Sequence, residues 1–235
     1  MSAGSVKVDP ATATMISLIG SLADNKGALG RRYGEWAVSA PTIESAVAAA
    51  AMAQDELGHA RSTYPVLAKL GVEREDSGLD AGHPLEAISS ELPDWASFIA
   101  ANLVVDGVLT TFVASARDSS IEPLAQRARK ILQEEGAHRV HAEAWTKRIA
   151  RAGGGDLQLL VARIEEMWPQ AARWPGPDAD PGYRDAIAQG MVREGPLAIR
   201  DRVRDWLTAL MEREGVGVAL LEPDDWSEWD PQYRR

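Results

Sequence analysis

The chain is 235 residues long, 45% of them hydrophobic, and it carries a formal net charge of −10. An acidic chain of this kind repels polyanions, so we expect no nucleic-acid partner. Cysteine is absent, which excludes disulfides and thiolate metal sites and leaves nitrogen and oxygen ligands for any metal. The first ten residues show neither an apolar signal segment nor an arginine-rich leader, so we expect a cytoplasmic protein.

Proline and glycine signals divide the chain into long segments rich in alanine, leucine and charged residues. We predict four long helices over residues 10–38, 42–70, 93–117 and 121–152, followed by shorter helices over 156–173 and 197–213. Gly71 should end the second helix in a left-handed conformation, and Pro65 should kink or interrupt that helix. The prediction is one all-α domain spanning 1–235, with an up-down four-helix bundle over about 10–152 and a helical extension and tail over about 156–235.

The third predicted helix is apolar enough to raise the question of a membrane span, because residues 95–116 contain a single charge, Asp106. Several polar side chains also occur along it, namely Ser97, Asn102, Thr110, Thr111 and Ser115. No basic cluster marks one flank. We therefore predict a helix that is buried on all faces inside the bundle, and no membrane association.

A short motif occurs twice, as QDELGHAR at residues 54–61 and QEEGAHRV at 133–140. Each copy contains a glutamate and a histidine three positions apart, Glu56 with His59 and Glu135 with His138. Residues i and i+3 project from one helix face, so such a pair can reach a single metal ion. One Glu-x-x-His pair is common by chance, but two in matched register are a much stronger indication.

Helical spacing places these pairs, and Asp106 of the third helix, on the apolar inner faces of the bundle. Buried carboxylates without partners would normally take up protons, so three acids and two histidines at one depth need a common explanation. A di-metal carboxylate site provides it, with Glu-x-x-His pairs from two helices and further carboxylates from the other two. Oxygen and imidazole ligands suit iron or manganese, and zinc is also compatible.

The first helix breaks this symmetry. Lys26 faces inward where a fourth carboxylate is expected, and the nearest acid, Asp24, lies about 160° away around the helix. The ammonium could replace a metal and hold the acids in a buried ion-pair network. Alternatively, it could deprotonate or turn aside while the remaining five ligands hold two metals or one. His141 leaves the inner seam of the fourth helix, so we place it beside the ligands or at the surface.

These residues resemble those of one family. The segments EWAVSAPTIESAVAAAAMAQDELGH (35–59), VVDGVLTTF (104–112), QEEGAH (133–138) and, more weakly, MWPQAARWPGP (167–177) are similar to the oxygenase subunits of phenylacetyl-CoA epoxidase, the phenylacetate catabolic family. The resemblance covers about residues 15–177 and implies a ferritin-like four-helix bundle. The structural subunit of this family is similar in the first helix, ADNKGALGRRYGEW (23–36). The chain thus combines the patterns of the catalytic and the structural subunit.

The catalytic subunit of the family is similar at the five predicted metal ligands, Glu56, His59, Asp106, Glu135 and His138, and would carry a glutamate at the position of Lys26. As such a subunit, the chain would use two irons to activate oxygen and insert one oxygen atom into an aromatic acyl-CoA thioester, in aromatic compound catabolism. The three acids would bridge or cap the irons, and each histidine would hold one. Lys26 would then tune the site or handle protons.

The resemblance also implies partners: a homo-oligomer or a hetero-oligomer with a homologous subunit, and a separate reductase as electron donor. Three functions stay open at this point. The chain could be a di-iron monooxygenase, a non-catalytic structural subunit in which Lys26 replaces a metal, or an iron-oxidising ferritin relative. Trp226, Trp229 and Tyr233 in the tail could anchor a partner or simply cover the end of the bundle.

Overall fold

A computed structural model describes residues 8–72 and 82–235, and this part of the chain is helical with no strand. The helices of eight or more residues within these two ranges are α1 (Pro10–Trp36), α2 (Ile43–Lys69), α3 (Trp95–Ser115), α4 (Glu122–Ala152), α5 (Gly154–Arg173), α6 (Pro181–Ala188) and α7 (Pro196–Arg213). A short 3₁₀ turn, Glu86–Ile88, lies between α2 and α3. The architecture confirms the predicted all-α bundle of four long helices with further helices after it.

The ends of the long helices follow from local side-chain chemistry. Asp9 accepts a hydrogen bond from the amide of Thr12 at 3.2 Å and begins α1, because a side-chain oxygen at this position satisfies an amide that has no partner within the helix. Thr42 acts in the same way at the start of α2. Beyond the end of α2, Gly71 has a φ of 82°, the left-handed conformation that was predicted for it.

Three features of the helices differ from the sequence prediction. Of the two effects predicted for Pro65, a kink or an interruption, the interruption is wrong, since Pro65 lies inside α2 and the helix continues to Lys69. Helix α6 was not predicted. In α3, the α-helical turns Trp95–Ala100 and Gly107–Ser115 are joined by a π-helical segment, Ala101–Asp106.

Helix α3 lies in the interior of the bundle. It is long and apolar enough to cross a membrane by length and composition, but 83% of its most apolar 18-residue stretch is buried within the fold. Phe98, Leu103 and Phe112 have no exposed surface. The apolar surface of this helix is thus covered by the rest of the protein, as predicted for a helix buried on all faces.

Helices α1 and α2 approach closely at Gly30. A Cβ atom at this position would lie 2.7 Å from Cγ of Leu57 and 3.0 Å from its backbone nitrogen. Only glycine allows this approach. The contact fixes the register of the two helices that carry Lys26 and Glu56.

The C-terminal tail lies against this chain's own α1 and the segment after α5. The hydroxyl of Ser17 donates to the carbonyl of Pro231 at 2.5 Å, and the guanidinium of Arg234 donates to the carbonyl of Trp174 at 2.9 Å. The ring of Tyr233 packs on that of His83 with centroids 4.0 Å apart. The tail therefore covers its own bundle, which is the simpler of the two roles expected for its aromatic residues.

Candidate metal centre

The ammonium of Lys26 lies at the centre of a buried cluster. Its Nζ is 3.0 Å from Oε1 of Glu56 on α2 and 2.5 Å from Oδ1 of Asp106 on α3, and it also contacts Oε1 of Glu135 on α4. The side chain of Lys26 has no exposed surface. One residue from each of four helices thus meets at this point, and the only cation among these four side chains occupies the middle.

The position of Asp106 depends on the π-helical segment of α3, which ends at this residue. Single π turns within α-helices occur frequently at functional sites. The hydroxyl of Thr110, one turn later, donates to Oδ1 of Asp106 at 3.4 Å. The segment therefore places a carboxylate at the cluster within a stretch whose other residues are packed into the core.

Both histidines of the repeated motif direct Nδ1 toward the carboxylates. Nδ1 of His138 lies 3.3 Å from Oε1 of Glu56, 3.3 Å from Oε2 of Glu135 and 3.5 Å from Oδ2 of Asp106. Nδ1 of His59 lies 3.4 Å from Oε1 of Glu135 and 3.8 Å from Oε1 of Glu56. Neither Nδ1 atom makes a well-formed hydrogen bond to any residue that the structure describes.

The other ring nitrogens contact two further carboxylates, and they do so across the bundle. Nε2 of His59 on α2 lies 2.9 Å from Oε2 of Glu134 on α4, and Nε2 of His138 on α4 lies 3.3 Å from Oδ2 of Asp55 on α2. In the neutral tautomer with its proton on Nε2, each histidine would donate to that carboxylate and keep the lone pair of Nδ1. A carboxylate in this position orients a metal-binding histidine and raises its basicity.

The electrostatics of the cluster are those of a tight ion-pair network. Burial alone would lower the pKa of Lys26, but the charges of Asp106, Glu135 and Glu56 raise it well above its usual value. Burial alone would raise the pKa of Glu135, but Lys26 and the two histidines hold it well below its ordinary range.

Glu56 and His138 both bind protons more strongly than in water. Burial, together with the negative charge of Asp106, raises the pKa of Glu56 to about 7 despite the opposing charge of Lys26. Burial alone would lower the pKa of His138, but the carboxylates of Asp106, Glu135 and Glu56 raise it to about 12. Without a metal, the cluster therefore holds protons that a divalent ion would have to displace.

Tyr33 forms part of the wall of the cluster. Its ring packs on Phe98 with centroids 4.9 Å apart and meets the edge of His138 at 6.4 Å. Burial, followed by the charges of Asp106 and Glu56, raises the pKa of the Tyr33 hydroxyl well above its usual value. The site thus contains a protonated phenol that cannot easily ionise.

The donor set fits a metal ion. Ligand atoms of Glu56, Asp106, Glu135 and His138 all lie within 4.8 Å of one another, and all four residues are buried. Oε2 of Glu56 and Nδ1 of both histidines are buried without a well-formed hydrogen bond among the described residues, and such atoms are otherwise rare in folded proteins. Carboxylate and imidazole ligands suit iron, manganese or zinc.

The structure brings the predicted site residues together, and two carboxylates that were not predicted lie beside them. All six, including Lys26 and His59, are buried, and His59 lies beside the group of four mutually close ligands, with Nδ1 3.4 Å from Oε1 of Glu135. Asp24 lies elsewhere, where its carboxylate accepts from the hydroxyl of Tyr64 at 2.8 Å. His141 lies outside the cluster and makes edge-on contacts with Trp95 and Phe98, at centroid distances of 5.9 and 6.1 Å.

The two further carboxylates are the outer pair, Asp55 and Glu134, which the sequence interpretation missed. The signal was present, because an acid precedes the glutamate in both copies of the motif.

A cavity of about 230 Å³ reaches the cluster at Asp106 and Glu135. It is lined by residues of α3, α4 and α7, including Thr110, Thr111, Leu132, Gly136, Arg139 and Trp206. The guanidinium of Arg139 lies over the ring of Trp206 at 4.3 Å, and Glu143 accepts a hydrogen bond from the indole at 3.1 Å. The two carboxylates are therefore accessible to a small molecule from one side of the bundle.

Residues 1–232 match the family described as "Phenylacetic acid catabolic protein". The chain is 26% identical over 197 residues to one of the subunits of 1,2-phenylacetyl-CoA epoxidase from Escherichia coli (strain K12), a match that covers 81% of this chain and 63% of the relative. It is also 26% identical over 153 residues to another component of the same epoxidase, covering 63% of this chain and 62% of the relative. The chain thus spans less than two thirds of the length of either curated relative. The resemblance noted from the repeated motif is confirmed, and the chain belongs to the phenylacetic acid catabolic protein family.

Proposed function

We propose that the chain is a metal-dependent, oxygenase-type subunit related to phenylacetyl-CoA epoxidase that acts on an aromatic acyl-CoA or a similar substrate. The observation that carries this proposal is the orientation of the two histidines. Nδ1 of His59 and of His138 faces the carboxylates, while Nε2 contacts Glu134 and Asp55, respectively. An ion-pair network does not require this paired arrangement, whereas a metal site does.

Five residues would hold the metal: Glu56, His59, Asp106, Glu135 and His138. Two iron ions are the proposed occupants, and manganese or zinc would suit the same donors. Bound iron would supply the activation of oxygen. The apolar surroundings of the cluster, such as Phe98 and Leu103, would exclude water from the reacting groups.

The substrate would approach through the cavity beside Asp106 and Glu135. Its volume of about 230 Å³ is below the roughly 300–1,000 Å³ that enclose drug-sized ligands. It would therefore hold an acyl group and leave a larger carrier outside. Thr110 and Thr111 supply hydroxyl groups to this lining, while Leu132 and Trp206 supply apolar surface.

Lys26 would control whether metal binds. Its ammonium occupies the space between the same three carboxylates that would hold the ions. Binding of a divalent ion would require Lys26 to lose its proton or to turn aside, and His138 to lose a proton as well. The affinity for metal should therefore increase with pH.

A second function is favoured by the same contacts of Lys26. The ammonium pairs with all three carboxylates, and the side chain of Lys26 has no exposed surface. The ammonium could therefore substitute for a metal permanently. The chain would then be a non-catalytic structural subunit of an epoxidase-type complex. The curated relatives are named as subunits, which supports a hetero-oligomer with a homologous subunit, and a separate reductase would be needed for the catalytic alternative.

Metal analysis separates the two functions. Protein reconstituted with ferrous iron without oxygen, then desalted, would be assayed by mass spectrometry for iron per chain. We expect up to two irons in the wild type, fewer in His138→Ala, and unchanged loading in His141→Ala, which alters a histidine outside the cluster. If the wild type carries no metal while Lys26→Glu gains two irons, the structural function is correct and the catalytic proposal fails.

A further inference from the structure

One wall of the cavity beside Asp106 and Glu135 comes from outside the four-helix bundle. Among the described residues that line it, all but Trp206 belong to α3 or α4, whereas Trp206 belongs to α7. The two residues that follow the carboxylates in sequence, Gly107 and Gly136, also line the cavity. Neither adds a side chain beside the carboxylates, so the bulkiest part of the wall is the indole of Trp206.

The indole of Trp206 extends from α3 to α4. A Cβ atom at Gly107 on α3 would lie 3.5 Å from Cζ3 of Trp206 and 3.6 Å from Cγ1 of Val203. At its other edge, Nε1 of Trp206 donates a hydrogen bond to Oε1 of Glu143 on α4 at 3.1 Å. Cζ3 and Nε1 belong to different rings of the indole, so both of its rings are needed to reach from one helix to the other.

Two charged side chains of α4 hold the indole in this position. The guanidinium of Arg139 lies over the ring of Trp206 at 4.3 Å, and its Nε donates to Oε1 of Glu143 at 2.9 Å. A cation over an indole face and hydrogen bonds to a carboxylate are both stabilising. Trp206, Arg139 and Glu143 therefore contact one another, and the position of the indole is fixed by α4 as well as by α7.

We propose that Trp206 determines which acyl groups the cavity accepts, admitting a single aromatic ring and excluding two fused rings. This inference rests on the proposed function, because it concerns the substrate of the same site. An apolar cavity of about 150 Å³ holds one benzene molecule, so a volume of about 230 Å³ suits one ring with a short side chain. A second fused ring would need the space that the indole of Trp206 occupies.

The test uses the metal-free full chain and two neutral probes, phenylacetamide and 2-naphthylacetamide. Neutral probes are required because the carboxylates of Asp106 and Glu135 would repel an anion. Titration followed by NMR would measure both affinities, and the shift of the thermal unfolding midpoint would check them. We expect the wild type to bind phenylacetamide saturably, and 2-naphthylacetamide about tenfold or more weakly.

Replacing the indole should reverse this preference. Trp206→Ala removes two fused rings from the wall and should bind 2-naphthylacetamide about tenfold or more tightly than the wild type does. The variant leaves Arg139 paired with Glu143, so no charge loses its partner. If Trp206→Ala fails to fold, Trp206→Phe keeps one ring in the wall and should still bind the larger probe more tightly than the wild type.

A matched control removes an indole elsewhere. Trp226 also lies beneath an arginine, Arg200, at 5.6 Å, but it does not line this cavity. Trp226→Ala should therefore leave the affinities for both probes unchanged within about twofold.

Three results would overturn the proposal: a wild type that binds neither probe, a wild type that binds both equally, or variants at Trp206 that gain no affinity for 2-naphthylacetamide. Because no metal is present, these results are independent of iron loading. A wild type that takes up no iron would reject the catalytic function while the selectivity between the probes could still be measured.

Discussion

Nε2 of His59 lies 2.9 Å from Oε2 of Glu134 on the facing helix α4. The reciprocal contact joins His138 of α4 to Asp55 of α2 at 3.3 Å. Each copy of the repeated motif therefore supplies the carboxylate that orients the histidine of the other copy. The two copies of the motif therefore depend on each other. Both histidines are oriented only when α2 and α4 pack in this register.

Removing either of these outer carboxylates should weaken metal binding without removing a ligand. We expect Asp55→Asn and Glu134→Gln each to lower the affinity for ferrous iron by about 10–100-fold, the usual effect of losing a partner of a metal-binding histidine. Competition with a chelator would measure the affinity. Glu122→Gln, at an exposed acid on α4 that bonds to Gln126, should change nothing. Equal affinity in all three variants would contradict the assigned role.

Lys26 should be essential to the stability of the metal-free protein. Lys26→Met leaves three carboxylates buried without their cation, and losing one member of a buried ion pair costs about 3–5 kcal/mol. Urea unfolding at neutral pH would measure the free energy of unfolding. Lys147→Met, at an exposed position on α4, is the control and should shift it by no more than about 0.5 kcal/mol. If Lys26→Met lowered the free energy of unfolding by no more than this control does, the ion-pair network would be contradicted.

The raised pKa of His138 predicts how stability depends on pH. The pKa of His138 is about 12 in the folded protein and about 6.5 in the unfolded chain. Its protonation therefore stabilises the folded protein fully below about pH 6.5, and this stabilisation is lost as the pH rises from about 6.5 toward 12. Glu56, with a pKa of about 7, acts in the same direction from about pH 4.5 to 7.

Metal-free wild type should therefore become less stable between about pH 7.5 and 9.5, and His138→Asn should show a flatter dependence over the same range. Urea midpoints at several pH values would measure this. His141→Asn should follow the wild type, because burial lowers the pKa of His141 and it is neutral throughout. A wild-type stability that rises over this range would contradict a protonated His138.

The close approach of α1 and α2 predicts opposite effects at two glycines. Gly30→Ala would place a methyl group 2.7 Å from Cγ of Leu57 and should destabilise the protein by about 1–3 kcal/mol through overpacking. Gly58→Ala meets nothing within 4 Å and should stabilise α2 by about 0.5–1 kcal/mol. Thermal unfolding of both variants would measure these opposite changes in stability. If Gly30→Ala stabilised the protein instead, α1 and α2 would not be packed in this register.

Much of the fold and the meeting of the site residues could be predicted from spacing alone. Helical periodicity places Lys26, Glu56 and Glu135 on inner faces because apolar residues recur at helical spacing along the same face of each helix. Asp106 stands out as the one charge in an apolar stretch. The acid before the glutamate in each copy of the motif points to Asp55 and Glu134, but the histidine that each one contacts could not be predicted, because that depends on how two helices face each other.

Other features leave no periodic signal. Helix α6 has only eight residues and begins at a proline and a glycine, which indicate a turn when they are considered locally. Arg200 and Arg234 are nearly fully buried, although arginine usually lies at the surface. Each is held by partners that are remote in sequence, such as Gly176 for Arg200 and Trp174 for Arg234.

The π-helical segment Ala101–Asp106 sets the direction in which Asp106 points. A π turn holds about one residue more than an α turn, so it acts as an insertion that the helix absorbs without breaking. If the same residues formed a regular α-helix, Asp106 would be rotated by about 100° relative to Trp95 and Phe98. The carboxylate and the aromatic packing before it could then no longer be satisfied together, so the irregular turn between them is as necessary to the cluster as the residues themselves.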